Sequence, residues 1–131
     1  MTTLSPSAGP LRAEFGDAIE RQLVSCGDTI VYVTNSSRWH RSAYLARLRA
    51  MGAPVAPDHI VTAARATALA VADGDGPVMV LGGPGLAREV RDVGCPTVAP
   101  TPHGLEAGPA VVVVGVDFAR TYRRLSCAAD A

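Results

Sequence analysis

The spacing of apolar positions changes several times along this chain, and each change marks an element. From Leu11 to Val24 the residues Leu11, Phe15, Ala18, Ile19 and Leu23 recur at three- and four-residue steps. That stripe predicts an amphipathic helix, with Gly27 as its stop. Thr29-Ile30-Val31-Tyr32-Val33 abandons alternation, as expected of a strand covered on both faces in a parallel sheet. It ends at the polar cluster Thr34-Asn35-Ser36-Ser37. Tyr44, Leu48 and Met51 share one stripe, with Leu45 beside it, so Arg41 to Met51 reads as a helix stopped by Gly52 and Pro54. Pro57 to Ile60 reads as a turn, and Thr62 can cap an Ala-rich helix reaching about Ala72. Val78 to Leu81 is a buried-strand run, Leu86 to Val93 a helix closed by Gly94, Ala110 to Val114 another strand, and a last helix starts near Ala119.

This alternation predicts an α/β fold with parallel strands. Residues 1–10, rich in Ser, Pro and Gly, form a loose lead-in. Residues 11–72 make a first part, the Asp/Gly loop 73–77 a linker, and residues 78–131 a second part. The Pro- and Gly-rich stretch from Pro96 to Pro109 reads as an internal loop or a poorly formed strand.

At 131 residues and 48% hydrophobic content the chain can build a core. Twelve basic residues balance twelve acidic ones, which argues against a phosphate-backbone or anionic-lipid surface and predicts no nucleic-acid or membrane partner. All twelve basic residues are Arg; there is no Lys. Cys26, Cys95 and Cys127 are odd in number and widely spaced, so they read as reduced packing residues. With no secretory signal pattern at Met1 to Leu11 and no membrane-length apolar run, the expected location is the cytoplasm.

The most informative candidate site is the strand end at Thr34, Asn35 and Ser36. In open parallel sheets ligands gather beyond the carboxyl ends of strands, where hydroxyl and amide groups can hold an anion such as phosphate. The competing reading is that Ser36 or Ser37 caps the next helix. Asp73-Gly74-Asp75-Gly76 has a DxDG spelling but follows a helix pattern, and turns use these residues. Gly82-Gly83-Pro84-Gly85 departs from GxGxxG and reads as a strand-to-helix turn. His40, His59 and His103 lack metal-ligand spacing and read as loop or surface residues. Trp39 reads as packing at a helix start.

The segment from Thr29 to Val71 resembles the haloacid dehalogenase (HAD) superfamily, in its class II-capped nitrophenylphosphatase and phosphoglycolate-phosphatase-like branch. The matching phrases are Val33-Thr34-Asn35 with Arg38, Leu48-Arg49-Ala50-Met51-Gly52, and Pro57-Asp58-His59-Ile60-Val61-Thr62-Ala63. Val78 to Gly82 with Gly85-Leu86 and Glu89 resembles a cap segment of that branch, as does Val113 to Asp117 with Thr121-Tyr122 and Leu125. The resemblance implies a partial Rossmann-like core followed by the start of an α/β cap. It also implies hydrolysis of a small phosphorylated metabolite through an aspartyl-phosphate, with Mg²⁺ as cofactor. Thr34 would be the phosphate-binding hydroxyl, and Asn35 and Ser36 would line the same site.

The catalytic residues of the resemblance are missing from the expected places. No DxD follows an apolar run between Met1 and Val33, the usual Lys is lacking, and no acidic metal-binding motif follows the cap segments. The chain therefore yields no catalytic nucleophile and no metal ligand, and is expected to be inactive by itself. The alternative reading is a non-catalytic α/β binding module with a weak anion site at Thr34 and Asn35, self-associating through exposed sheet edges or the cap.

Overall fold

The computed structural model describes residues 21–23 and 25–131. The helix expected over Leu11 to Val24 thus lies almost wholly outside the described residues; residues 21–23 and 25 are helical and the chain turns at Gly27, with φ +82°. The described chain packs as two compact units. One contains the residues up to Thr34 together with Ser42–Val61, the other Asn35–Arg41 together with Thr62–Ala131.

Strand β1 (Tyr32–Thr34) pairs with β2 (Ile60–Thr62), and helix α1 spans Arg41–Ala50; all but Thr62 and Arg41 of these elements belong to the first unit. Tyr44 and Leu48 of α1 are buried with Val55 and Ile60, and Tyr32, Leu45 and Ala53 pack against them. The sequence stops α1 where expected. Gly52, at φ +79°, lets Ala53 N–H reach Leu48 O and its own N–H reach Arg49 O, satisfying two terminal carbonyls.

Two expectations are corrected here. β1 is shorter than Thr29 to Val33 and is not covered on both faces: Tyr32 is half-buried, Val33 exposed and Thr34 buried. A three-residue strand with β2 as its partner buries one side, and its β-branched run gives no period from which to see that. The residues after Pro57 form a short 3₁₀ turn, Pro57–His59, followed by strand β2. Ile60-Val61-Thr62 is too short a β-branched triplet to show alternation.

The second unit is a three-stranded parallel sheet in the order β4-β3-β5, formed by β3 (Val78–Leu81), β4 (Thr97–Val98) and β5 (Val111–Val114). All four residues of β3 are buried, the signature expected of a central parallel strand. β5 buries only Val113. Helices α2 (Ala63–Ala70), α3 (Pro84–Asp92), α4 (Pro102–Glu106) and α5 (Tyr122–Ala129) complete the unit. Ala64 and Ala68 of α2 join Val78, Val80, Leu86, Val90, Cys95 and Val113 in one core, and the small Ala side chains let α2 lie close against α3. Thr62 Oγ1 accepts from Arg65 N–H at 2.9 Å, so the predicted cap of α2 is present.

Pro96 to Pro109 is more ordered than expected, holding both β4 and α4. Pro102 sits at the first position of α4, where a missing N–H costs nothing, and Thr101 Oγ1 accepts from Gly104 N–H at 3.1 Å. The last helix begins at Tyr122, three residues later than expected, because Asp117 Oδ1 first accepts from Ala119 N–H and Thr121 then caps the helix through Arg124 N–H. All three cysteines are free; Cys95 and Cys127 are buried as expected, but Cys26 is exposed and is not a packing residue.

Candidate functional site

β1 delivers Thr34 to its carboxyl end, where the residue is buried; Asn35 is exposed and Ser36 half-buried. The three follow one another at a strand end, but packing separates them. Thr34 closes a stretch belonging to the first unit, and Asn35 opens one belonging to the second. Ser36 Oγ accepts from Arg38 N–H at 3.3 Å, which bends the chain into a tight turn just beyond Asn35.

The helix-capping reading of Ser36 and Ser37 does not hold. Ser37 Oγ accepts from Val116 N–H at 2.9 Å, a contact spanning 79 positions of sequence. The first amide of α1, Arg41 N–H, donates instead to Glu89 Oε1 at 2.8 Å. Both serines therefore shape the turn that carries Asn35.

Glu89 belongs to a group that the sequence did not reveal. His40 Nε2 lies 2.7 Å from Asp92 Oδ2 and 3.4 Å from Glu89 Oε1, and Arg65 Nη1 is 3.8 Å from Glu89 Oε2. Glu89 has no exposed surface and His40 is buried, so the expectation of a loop or surface histidine is corrected for His40. The signal was Glu89 itself, three residues after Leu86 on the buried stripe of α3. A carboxylate buried there needs partners, because an unpaired buried charge is strongly unfavourable. The hydrogen bond from His40 is the main cause that holds the Asp92 carboxyl below its ordinary value of 3.8, with His40, Arg88 and Arg41 adding favourable charge.

Among the described residues, His40, Glu89 and Asp92 are a set of three ligand-type atoms close enough for a metal ion, all within 4.8 Å of one another. The charges around them decide against that use. Arg65 stands beside Glu89 and His40 hydrogen-bonds Asp92, so each carboxylate already has a basic side chain as its partner. The group is an ion-pair cluster.

The other candidates from the sequence take structural places. Asp73 and Asp75 lie exposed in a loop after α2, with no strand leading into it. Gly83 N–H donates to Val116 O, so this amide of the Gly-rich loop is committed to the fold. Gly85 is needed for close approach: a Cβ there would collide with Arg38 O and stand 2.5 Å from His40 N and 2.6 Å from Trp39 C. Trp39 stacks with the Arg38 guanidinium at 4.5 Å, and Phe118 does so at 4.7 Å. His103 is exposed, 3.5 Å from Glu106, and His59 is half-buried in the 3₁₀ turn. Buried Asp117 pairs with Arg124 at 3.0 Å.

A strand end carrying Val33-Thr34-Asn35, followed by a helix and a second parallel α/β unit, has counterparts among known proteins. Residues 16–96 match the family described as haloacid dehalogenase-like hydrolase, and the chain belongs to that family. It is 38% identical to glycerol-3-phosphate phosphatase of Gallus gallus, over 79% of this chain and 39% of that protein. Among solved structures, p-nitrophenyl phosphatase from Archaeoglobus fulgidus superposes with a TM-score of 0.77 at 28% identity, covering 95% of this chain and 46% of that one. Glycerol phosphate phosphatase from Mycobacterium tuberculosis, solved in complex with magnesium, gives 0.69 at 26% identity, covering 84% of this chain and 33% of that one. The chain thus spans less than half the length of these relatives. The α/β fold and the nitrophenylphosphatase-like branch expected from the VTN phrase are those found.

Proposed function

We propose that this chain is the phosphate-binding portion of a HAD-like phosphatase acting on a small phosphorylated metabolite. In this reading Thr34, Asn35 and Ser36 hold the phosphoryl oxygens through their hydroxyl and amide groups. The carrying observation is the placement of Thr34 at the end of β1 inside the segment matched to the family. The relatives' activities, on p-nitrophenyl phosphate and glycerol phosphate, support a phosphate monoester as the ligand class. Residues 11–72 would correspond to part of the catalytic core and 78–131 to the start of the cap, joined by the loop 73–77. Cytoplasmic residence is part of the same proposal; among the described residues no helix is long and apolar enough to cross a membrane.

Magnesium is the cofactor this family implies; when bound, it neutralises charge on the phosphoryl oxygens. It prefers near-octahedral oxygen ligands. The His40–Glu89–Asp92 group offers an imidazole and two carboxylates, one beside Arg65 and the other hydrogen-bonded to His40, so it does not fit an all-oxygen magnesium shell. Hydrogen-bond donors can bind and orient a phosphate ester but cannot replace an attacking carboxylate. The chain alone is therefore expected to bind without hydrolysis.

A second reading, a non-catalytic module that self-associates, draws on the exposed apolar residues Val114, Val116, Phe118, Tyr122 and Leu125. Sedimentation velocity tests that association directly. The phosphatase reading is tested by incubating the purified chain with p-nitrophenyl phosphate and Mg²⁺, beside Asp73→Asn and Asp75→Asn. No nitrophenolate above the buffer rate is expected. Turnover lost in either variant would place a nucleophile in the 73–77 loop and overturn the assignment.

A further inference from the structure

The turn proposed to hold phosphate is built into the second unit by a set of contacts that all fall on the seven residues Asn35–Arg41. Ser37 Oγ receives Val116 N–H from the loop after β5. The Arg38 guanidinium lies over both the Trp39 and Phe118 rings. The backbone from Arg38 to His40 presses on Gly85 so closely that no side chain fits between them. His40 then meets Asp92 and Glu89, and Arg41 N–H meets Glu89, all on α3.

We infer that Glu89 and Asp92 are positioning residues for the phosphate-binding turn. By gripping His40 and Arg41 they fix the far end of the segment whose near end carries Asn35 and Ser36. The inference rests on the phosphate-site reading, and adds that the second unit, through α3, sets where those two donors stand.

Energetics favours this arrangement over a merely tolerated contact. The six residues Asn35–His40, which lie outside helix and strand, lose backbone freedom when fixed, and that loss must be offset by specific interactions. The interactions present are of the strong kind: a charge-assisted contact at 2.7 Å and a buried carboxylate accepting a backbone N–H at 2.8 Å. They lie on α3, whose Leu86 and Val90 are fully buried, so the grip is anchored to the packed core of the unit.

The test uses the ¹⁵N-labelled chain and its Asp92→Asn, Glu89→Gln and Glu89→Ala variants. Amide hydrogen exchange is measured first without ligand, at Ser36 to Arg41 and in β3. Inorganic phosphate is then titrated while the Asn35 and Ser36 amides are followed. Asp92→Asn is expected to speed exchange in the turn by about tenfold, the size of one lost charge-assisted hydrogen bond, while β3 is unchanged. Phosphate binding should weaken by a similar factor. Glu89→Gln keeps an acceptor for Arg41 N–H and should retain more protection than Glu89→Ala, a graded rescue that a loss of bulk packing would not give. Turn exchange and phosphate affinity unchanged in Asp92→Asn and Glu89→Gln would overturn the inference. A native chain with a protected turn that ignores phosphate would overturn the phosphate-site reading instead.

Discussion

His40 Nε2 stands 2.7 Å from Asp92 Oδ2, joining positions 52 residues apart and tying the segment after β1 to the last turn of α3. The same imidazole lies near Glu89, whose carboxylate takes the first amide of α1. A local turn in the sequence is thereby a long-range structure in the fold.

This pairing gives stability a defined response to acid. The Asp92 carboxyl is held below 3.8, first by its hydrogen bond to His40, so the ionised form favours the folded state. Its contribution is fully present above 3.8 and is lost as pH falls through the lower folded value. Asp92 is partly exposed, so solvent screens the effect. Thermal unfolding of the native chain and Asp92→Asn should show a gap in Tm at pH 5 that narrows below 3.8. A gap of constant size down to pH 2 would contradict this assignment.

Gly85→Ala should destabilise by about 1–3 kcal/mol through overpacking, because the new methyl meets main-chain atoms of Arg38, Trp39 and His40 and no flexible side chain can yield. Its backbone is not left-handed, so the cost is steric alone. Urea titration measures it, and Gly94→Ala provides the contrast: there nothing crowds a Cβ and the penalty comes from φ +89°.

The legible parts of the fold were those with enough length to show a period or a stop. α1 came through its stripe and its Gly52 stop, α2 through its Thr62 cap and Ala-rich run, and α3 through the Gly94 that closes it. β3 was readable as an unbroken apolar run because it is the central strand. A similar run leads into β1, yet Val31 and Val33 are exposed and, among the described residues, β1 pairs with β2 alone; composition does not distinguish that from a strand with neighbours on both sides. β4 and α4 were hidden because Pro and Gly mark loops on average, while here Pro102 starts a helix and Gly104 fits where a Cβ would collide with Ala99 O. Of the candidate site, Thr34, Asn35 and Ser36 were visible as polar residues at the end of an apolar run. The His40–Glu89–Asp92 group was not, since its partners meet only in the folded chain.

Capping separates two otherwise similar threonines. Thr62 is fully buried and accepts from Arg65 N–H, whereas Thr121 is exposed and accepts from Arg124 N–H at a longer 3.3 Å. Thr62→Ala should cost about 1–2 kcal/mol and Thr121→Ala about 0.5 kcal/mol. Equal losses in denaturant titrations would show that burial around Thr62 adds nothing to the cap.

Leu86→Ala removes a side chain with no exposed surface from the centre of the second unit's core. The expected loss is about 2–5 kcal/mol, enough to consume much of a small unit's stability. Phosphate binding at the turn should fall in proportion to the unfolded fraction read by circular dichroism.

Phosphate binding at the end of β1 is tested most directly by titrating the ¹⁵N-labelled chain with inorganic phosphate and reading every amide. Phosphate bound at this strand end gives saturable shifts centred on Thr34, Asn35, Ser36 and Ser37. Saturable shifts centred elsewhere, with those four amides unmoved, would contradict it.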